Sequence, residues 1–346
     1  MKTQKSVKDM LASVSPESES LRAEIRELTG LLQKAKVSQG QIDDALAQVL
    51  ECVKLEPVVK IPALAPVTGG KAEVTLVLQL SDWHIGLTTP ASMVEEFNEY
   101  NWMIAQRRIT QLVNAITKFT NVMRSGYTIN NCVVMCTGDY VSGDIHEGLV
   151  RTNEFQAPMQ AVKAGRLLAA ALSKLSGVFN TLRVEFIAPG NHDRLTKKPQ
   201  AQAGGENSWG YVVGSLAKDA LENQLNVDFH LHTAMQAIVE VSGRRYLTGH
   251  GDGIIGTWGI PFYGIERKKM REATARMNMT EAKRFHKIVI GHFHTGLDHE
   301  DWLIGGSLSG TDENDHKQGR HSRAHQTSWL VHQTHGEFGF TRWYLD

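Results

Sequence analysis

The spacing of apolar residues in the first fifty-six positions predicts two short amphipathic helices. Apolar side chains recur every three or four residues at Leu21, Ile25, Leu28, Leu32 and Ala35, which is the spacing of one helix face. Ser-Gln-Gly-Gln at 38–41 has the form of a capping box, and the same spacing resumes at Ile42, Leu46, Val49 and Val53. Residues 1–56 are therefore predicted to form a helical hairpin. Its apolar stripes either cover a patch of the main domain or mediate self-association or docking of a partner helix.

A proline-rich segment separates this hairpin from the rest of the chain. Residues 57–71 hold three of the nine prolines and end near Gly69-Gly70, a composition typical of a semi-rigid linker. The main domain is expected to occupy residues 72–346.

Short apolar runs alternate with helical stretches throughout this main domain. The patterns predict strands at 74–80, 132–137, 183–188, 236–241, 244–248, 287–290, 302–304, 329–333 and 338–344. They predict helices near 100–124, 154–176, 207–224 and 264–284. This alternation indicates an α/β fold, a two-sheet sandwich flanked by helices.

Composition and charge narrow the function classes. With 41% apolar and 21% charged residues the chain of 346 residues can bury a large core, which excludes wholesale disorder. Lys plus Arg equals Asp plus Glu at 37 each, so a nucleic acid would be held by a local basic patch or through metal ions. No signal peptide or membrane-spanning run is visible, and three scattered cysteines form no disulfide framework. A cytoplasmic protein without membrane contact is expected.

Five of the predicted strands end in loops that carry Gly, His or carboxylate residues. These loops are Ser-Asp-Trp-His at 81–84, Thr-Gly-Asp at 137–139, Pro-Gly-Asn-His-Asp at 189–193, Gly-His-Gly-Asp at 249–252 and Gly-His-Phe-His at 291–294. In open α/β sheets ligands bind beyond the carboxyl ends of the strands, so the loops are expected to meet there.

The donor atoms in these loops favour metal ions over other ligands. Asp, Asn and His without thiolates suit Mn²⁺, Fe or Zn²⁺ in a five- or six-coordinate site. The donors are also too numerous for one ion, and a carboxylate such as Asp139 can bridge two. A two-metal site predicts hydrolysis of a phosphoester.

These five blocks, in this order, resemble the calcineurin-like metallophosphoesterase superfamily. The resemblance implies that Asp82, His84 and His294 bind the first metal ion, that Asn191, His250 and His292 bind the second, and that Asp139 bridges both. It further implies that His192 stands over the scissile phosphate and protonates the leaving oxygen, that Asp193 orients the His192 ring, and that hydroxide held by the metal pair is the nucleophile.

A finer resemblance concerns the substrate. Gly-Asp-Tyr-Val-Ser-Gly-Asp-Ile-His at 138–146, Arg194, His-Gly-Asp-Gly at 250–253 and Gly-Gly-Ser-Leu at 305–308 look like bacteriophage and prophage metallophosphoesterases related to SbcD-type DNA repair exonucleases. This implies a bacterial or phage-infected host cell and DNA, or another phosphodiester, as the substrate. The sequence departs from the repair nucleases because only about fifty residues follow Gly-His-Phe-His and no long DNA-binding cap region is present.

Two further residues are candidates for substrate contacts, and two other functions are alternatives to hydrolysis of DNA. Arg194 is expected to hold a flanking phosphate, and His146 to touch the leaving group or the next phosphate, with an ordinary loop histidine as the alternative. Two divalent ions are expected, Mn²⁺ before Fe or Zn²⁺. The rivals are a phosphomonoesterase or cyclic-nucleotide phosphodiesterase, and a scaffold with a vestigial site that recruits partners through the N-terminal helices.

Overall fold

A computed structural model describes residues 71–199, 204–255 and 261–346 of the protein. The predicted N-terminal hairpin and nearly all of the predicted linker lie outside these residues. Within the described ranges, none of the helices combines the length and the apolar character needed to cross a membrane.

The larger of two β-sheets contains six strands in the order β11-β10-β1-β2-β3-β4. Four strands run parallel in its centre and at one edge: β1 (Val74–Leu80), β2 (Asn131–Cys136), β3 (Thr181–Ile187) and β4 (Val227–His232). At the other edge, β10 (His325–His332) and β11 (Gly336–Tyr344) pair antiparallel. The carboxyl ends of β1, β2 and β3 therefore meet at one edge of the sheet.

The smaller sheet has five strands in the order β5-β6-β7-β9-β8. Its strands are β5 (Gln236–Val241), β6 (Arg244–Gly249), β7 (Lys287–Ile290), β8 (Leu297–Asp298) and β9 (Trp302–Ile304). Strands β6, β7 and β9 are parallel, whereas β5 and β8 pair antiparallel at the edges. The loops after β6 and β7 therefore also emerge at a common edge.

Alternate residues of β1 point to opposite faces of the larger sheet and belong to two separate apolar clusters. Leu76, Leu78 and Leu80 pack in one cluster with residues of the helices, while Val77 packs in another with Tyr246 and other residues of the smaller sheet. Successive strand residues point to opposite faces, so one apolar run serves both layers. The outer face of the smaller sheet has a third apolar cluster.

The helices complete the layers. They are α1 (Trp102–Met123), α2 (Glu147–Thr152), α3 (Ala157–Ser176), α4 (Trp209–Leu221), α5 (Phe262–Arg276) and α6 (Glu313–Lys317). Buried residues of α1, α3 and α4 belong to the helix-side cluster of the larger sheet, whereas Ile265 of α5 packs in the outer cluster of the smaller one. The predicted two-sheet α/β sandwich flanked by helices is confirmed.

Some elements differ from the sequence prediction. Strand β4 and the short elements α2, α6 and β8 were not predicted, and α5 ends at Arg276, where a helix was expected to continue to 284. Strand β4 has six residues, in which Val227, Phe229 and Leu231 alternate with polar residues. This alternation is typical of a half-buried strand, but it was not used in the sequence prediction.

Candidate metal centre

All five loops begin at the carboxyl ends of parallel strands. Asp82 and His84 follow β1, Asp139 follows β2, and the segment 189–193 follows β3 of the larger sheet. His250 follows β6, and the segment 291–294 follows β7 of the smaller sheet. The packing of the two sheets brings these edges together, as the sequence predicted.

The loop backbones adopt an unusual conformation at the predicted ligands. Eight non-glycine residues of the described chain have positive φ, and five are predicted metal ligands: Asp82 (53°), His84 (46°), Asp139 (54°), His292 (71°) and His294 (59°). Left-handed backbone costs free energy for residues with a Cβ and persists where surrounding contacts fix it. Backbone hydrogen bonds across the loops supply such contacts: Asp82 N donates to Gly138 O (3.1 Å) and His84 N to Asp139 O (3.0 Å).

One group of donor atoms comes from Asp82, His84 and His294. His84 Nε2 lies 3.1 Å from His294 Nε2 and 4.0 Å from Asp82 Oδ1, and His294 Nε2 lies 3.6 Å from Asp82 Oδ1. Donor atoms of all three residues lie within 4.8 Å of one another. Such spacing matches atoms that surround a single ion.

A second group contains Asp139, Asn191, His250 and His292. His250 Nε2 lies 2.9 Å from Asn191 Oδ1 and 3.0 Å from Asp139 Oδ2, and His292 is within the same 4.8 Å limit of Asp139 and His250. The same Asp139 Oδ2 lies 4.0 Å from His84 Nε2 of the first group. One carboxylate oxygen thus faces both groups, as a bridging ligand would.

Hydrogen bonds on the far side of two rings test whether these residues fit a cation. His250 Nδ1 bonds to the Thr137 carbonyl (2.8 Å), which can only accept, so Nδ1 carries a hydrogen. In the neutral ring, Nε2 then presents a lone pair to Asp139 Oδ2 and Asn191 Oδ1, which are acceptors too. His294 Nδ1 likewise bonds to Asp315 Oδ2 (2.7 Å). The lone pairs of His250 Nε2, Asp139 Oδ2 and Asn191 Oδ1 therefore point toward one another in a buried place. Such an arrangement is stable only with a positive charge between them, so these residues fit a metal ion.

The protonation equilibria reflect the same demand for positive charge. Burial opposes a charged His294 ring, but the Asp315 carboxylate and its hydrogen bond outweigh burial and raise the pKa of His294 to about 10. Burial also opposes a charged His250, yet the Asp139 carboxylate raises the pKa of His250 well above its usual value. By contrast, burial and the neighbouring His250 lower the pKa of His292 to about 3, so that the His292 ring is neutral at neutral pH.

Metal loading is expected to release protons. At neutral pH, His250 and His294 hold protons that the metal must displace, so about two protons should leave per chain and the apparent affinity should rise with pH. Calorimetric titration of the metal-free protein in buffers of different ionisation enthalpy measures this number. Equal heats in all buffers would contradict the assigned protonation states.

His192 lies beside these groups, but Asp193 does not orient it. His192 Nδ1 bonds to the Ser142 carbonyl (2.8 Å), and its ring centroid lies 4.7 Å from that of His84. The Asp193 carboxylate instead accepts the backbone N–H groups of Asp139 (2.8 Å) and of residues 140 and 141 (3.0 and 3.2 Å). The predicted orienting role of Asp193 is therefore wrong: Asp193 fixes the loop that carries Asp139, and a backbone carbonyl orients His192.

Arg194 and His146 have different positions relative to the site. The Arg194 guanidinium turns toward the carbonyls of Thr196 and Lys197, each 3.4 Å away, and Arg194 does not line the cavity described below. The expected contact of Arg194 with a phosphate is thus not supported. His146 does line that cavity, with its ring centroid 5.7 Å from that of His192.

Asp315 and Arg320 are site residues that the sequence analysis missed. Asp315 is buried, accepts His294 Nδ1–H through Oδ2, and accepts hydrogen bonds from Arg320 Nε (3.1 Å) and Nη2 (2.8 Å) through Oδ1. A carboxylate behind a ligand histidine fixes the ring and its tautomer. The available signal was the acidic cluster 312–315 after a Gly-rich stretch, in which Asp312 Oδ1 accepts Asp315 N–H (2.7 Å).

Removal of the Asp315 charge should weaken metal binding without removing a ligand. Asp315→Asn is expected to lower the affinity for the metal ions about 10- to 100-fold. Titration of the metal-free variant by calorimetry measures the change, and Lys317→Ala, exposed on the same helix and outside the lining of the cavity described below, is the control. Wild-type affinity in Asp315→Asn would contradict the positioning role.

A cavity of about 690 Å³ opens over both groups of donor atoms. Asp139, Asn191, His192, His292 and His294 line it from below. Its walls are formed by Leu87 to Thr89, His146, Gly148, Leu149, Thr152, Ile254 and Phe293, and by the polar residues Asp312 to Asn314, Gln318 and Arg320. A substrate in this cavity would meet the predicted metal ligands and His192 together.

One protein family and several solved structures are similar to this chain. The model of the calcineurin-like phosphoesterase family matches residues 75–319. No curated protein matches the chain. Similar solved structures include Vps29 complexed with zinc from Entamoeba histolytica (10% identity, 78% of this chain and 99% of that chain, TM-score 0.28). They also include Vacuolar Protein Sorting 29 from Cryptosporidium parvum (12%, 79% and 99%, 0.31) and an uncharacterised predicted phosphoesterase from Streptococcus pneumoniae (9%, 52% and 90%, 0.26).

The family match includes all five loops and spans most of the main domain. The described residues also contain groups of side chains that suit divalent metal ions. The chain therefore belongs to the calcineurin-like phosphoesterases and is a metal-dependent phosphoesterase.

Proposed function

We propose that the protein hydrolyses phosphodiester bonds in a polynucleotide, with DNA as the first candidate, using two divalent ions. The observation that carries the two-ion proposal is the position of Asp139 Oδ2, 3.0 Å from His250 Nε2 and 4.0 Å from His84 Nε2. One oxygen is thus shared by two sets of nitrogen and oxygen donors, and Mn²⁺ suits such a mixed set. The complete set of donors argues against a vestigial site used only as a scaffold.

Each residue has a separate task in the proposed reaction. Asp82, His84 and His294 would hold one ion, Asn191, His250 and His292 would hold the other, and Asp139 would contribute to both sites. When bound, the ions stabilise charge on the phosphoryl oxygens and lower the pKa of water. The Ser142 carbonyl keeps the hydrogen on His192 Nδ1, so Nε2 of a protonated His192 is the atom that donates a proton to the leaving oxygen.

The cavity walls support a nucleotide-containing substrate. Phe293 lies between the ligands His292 and His294 in sequence, lines the cavity and is half-buried. An aromatic face beside a phosphate site suits stacking of a base. His146 and Arg320 also line the cavity, and both side chains can donate hydrogen bonds to a neighbouring phosphate. The sequence resemblance to phage metallophosphoesterases points to the same substrate class.

A substrate panel tests this proposal. The purified full chain with Mn²⁺ is incubated with linear, circular and single-stranded DNA, RNA, a cyclic nucleotide, bis-p-nitrophenyl phosphate and p-nitrophenyl phosphate. Cleavage of DNA and of the diester, without the monoester, is the expected result. Turnover of the monoester or the cyclic nucleotide alone would replace the proposal by one of the rival activities. Cleavage of circular DNA would identify an endonuclease.

Chelation is expected to abolish activity. Prolonged treatment with EDTA followed by dialysis should leave no measurable hydrolysis. In the proposed reaction the metal ions, and not the residues that bind them, stabilise the phosphoryl oxygens and lower the pKa of water. Addition of Mn²⁺ should restore activity, with Fe²⁺ and Zn²⁺ compared in parallel. Full activity in the chelated, metal-free protein would refute the metal-dependent mechanism.

A further inference from the structure

A group of metal-ligand side chains lies outside the cavity lining, on strands β3 and β4. Glu185 of β3 lies directly opposite His230 of β4 in the parallel register. His232 follows His230 by two positions and therefore points to the same face of the sheet. The three residues bring two imidazoles and one carboxylate together at the edge of the larger sheet.

The distances converge on one oxygen of Glu185. Its Oε2 lies 2.7 Å from His232 Nε2 and 3.4 Å from His230 Nδ1. Ligand atoms about 2.0–2.2 Å from a tetrahedral zinc ion lie about 3.3 Å from one another. His230 Nδ1 lies at about this distance from Oε2, whereas the 2.7 Å contact of His232 Nε2 is a hydrogen bond that an entering ion would replace. Ligand atoms of all three residues lie within 4.8 Å of one another.

A fourth residue orients one of the rings. His230 Nε2 lies 2.9 Å from Asp228 Oδ1, so the hydrogen of the neutral ring is drawn to Nε2. Nδ1 then presents its lone pair to Glu185. A carboxylate that fixes the tautomer of a histidine from behind is a common feature of metal sites.

Charge and access also suit a cation. The Glu185 side chain is 6% exposed, and Arg183 Nε pairs with its other oxygen, Oε1, at 3.1 Å, which leaves Oε2 to the histidines. The side chains of His230 and His232 are 44% and 28% exposed, so an ion can enter from solvent.

We propose that Glu185, His230 and His232 form an additional site for a divalent cation of the zinc type. Two nitrogen donors and one oxygen donor are the ligand set of Zn²⁺, Co²⁺ and Ni²⁺. Bound there, the ion joins the edge strand β4 to β3. The site is independent of the proposed nuclease activity, because none of its residues lines the cavity.

The number of bound ions tests this site. The full chain and the variants His232→Ala and His230→Gln are equilibrated with Zn²⁺, dialysed against a dilute Zn²⁺ buffer, and measured by atomic emission. The wild type should bind one ion per chain more than either variant, while hydrolysis of the preferred ester stays at the wild-type level. His335→Ala, an exposed histidine outside the cluster, should bind the wild-type number.

A second readout separates this site from the cavity. Asp139→Asn weakens the proposed pair in the cavity, and Co²⁺ bound to this variant should still show the visible absorption of a low-coordinate cobalt site. That absorption should disappear in Asp139→Asn with His232→Ala. Equal ion numbers in wild type and both histidine variants, or equal cobalt spectra with and without His232, would overturn the proposal. Absence of ester hydrolysis in the wild-type protein, with the additional ion still bound, would refute only the proposed function.

Discussion

Asp139→Asn is expected to abolish turnover and to weaken the binding of both ions in the cavity. The amide has the same shape as the carboxylate but lacks the charge that Oδ2 presents to the donor groups on either side. We expect the rate to fall at least about 10³-fold, which corresponds to roughly 4 kcal/mol of lost transition-state stabilisation. Metal content by atomic emission and the rate of hydrolysis are measured on the same sample.

Asp144→Asn is the matched control for this substitution. Asp144 lies five residues further along the same loop region and is exposed. It should retain both ions and the wild-type rate. If Asp139→Asn kept full occupancy of both ions, Asp139 would not be the bridging ligand and the two-ion arrangement would have to be redrawn.

His192→Ala is expected to separate chemistry from metal binding. His192 is bonded to the Ser142 carbonyl and is not one of the proposed ligands, so the variant should retain its ions. Loss of the proton donor should lower kcat about 10²- to 10⁴-fold. The loss should be smaller with p-nitrophenolate-type leaving groups, because these leave readily without a proton.

A substrate series therefore tests the role of His192 directly. The ratio of wild-type to variant rate is measured for esters whose leaving groups differ in pKa, with His335→Ala as an exposed histidine control. A ratio that rises with the leaving-group pKa supports proton donation by His192. A ratio that stays constant across the series, or loss of metal from the variant, would assign His192 a different role.

The sequence predicted the position of one residue of the loop 189–193 correctly and the contacts of its neighbour wrongly. His192 was predicted beside the metal ligands and lies there, with its ring centroid 4.7 Å from that of His84. Asp193 was predicted to orient His192, but the two side chains point to different partners, and Asp193 accepts backbone N–H groups of the Asp139 loop. Adjacent residues in a turn have independent directions, so adjacency in sequence does not indicate contact.

Residues that act through a distant partner could not be predicted. The bond between Asp315 and His294 joins α6 to the loop after β7, and Ser142 contacts His192 across fifty residues of chain. Asp315 lies outside the quoted motifs, and Ser142, although it lies within the segment 138–146, contacts His192 through its backbone carbonyl, which no residue type encodes. The Glu185 cluster depends on the register between β3 and β4, and β4 itself was not predicted.

The sequence by itself determined the α/β class, the order of the five loops and the residue types that bind metal, because apolar runs and the loops that end them are local patterns. Only the tertiary structure decided that Asp139 Oδ2 faces both groups of donor atoms, that the Asp315 carboxylate hydrogen-bonds to His294, and that Arg194 points away from the cavity. These depend on how the edges of two sheets meet, and the packing of side chains from separate strands fixes that geometry.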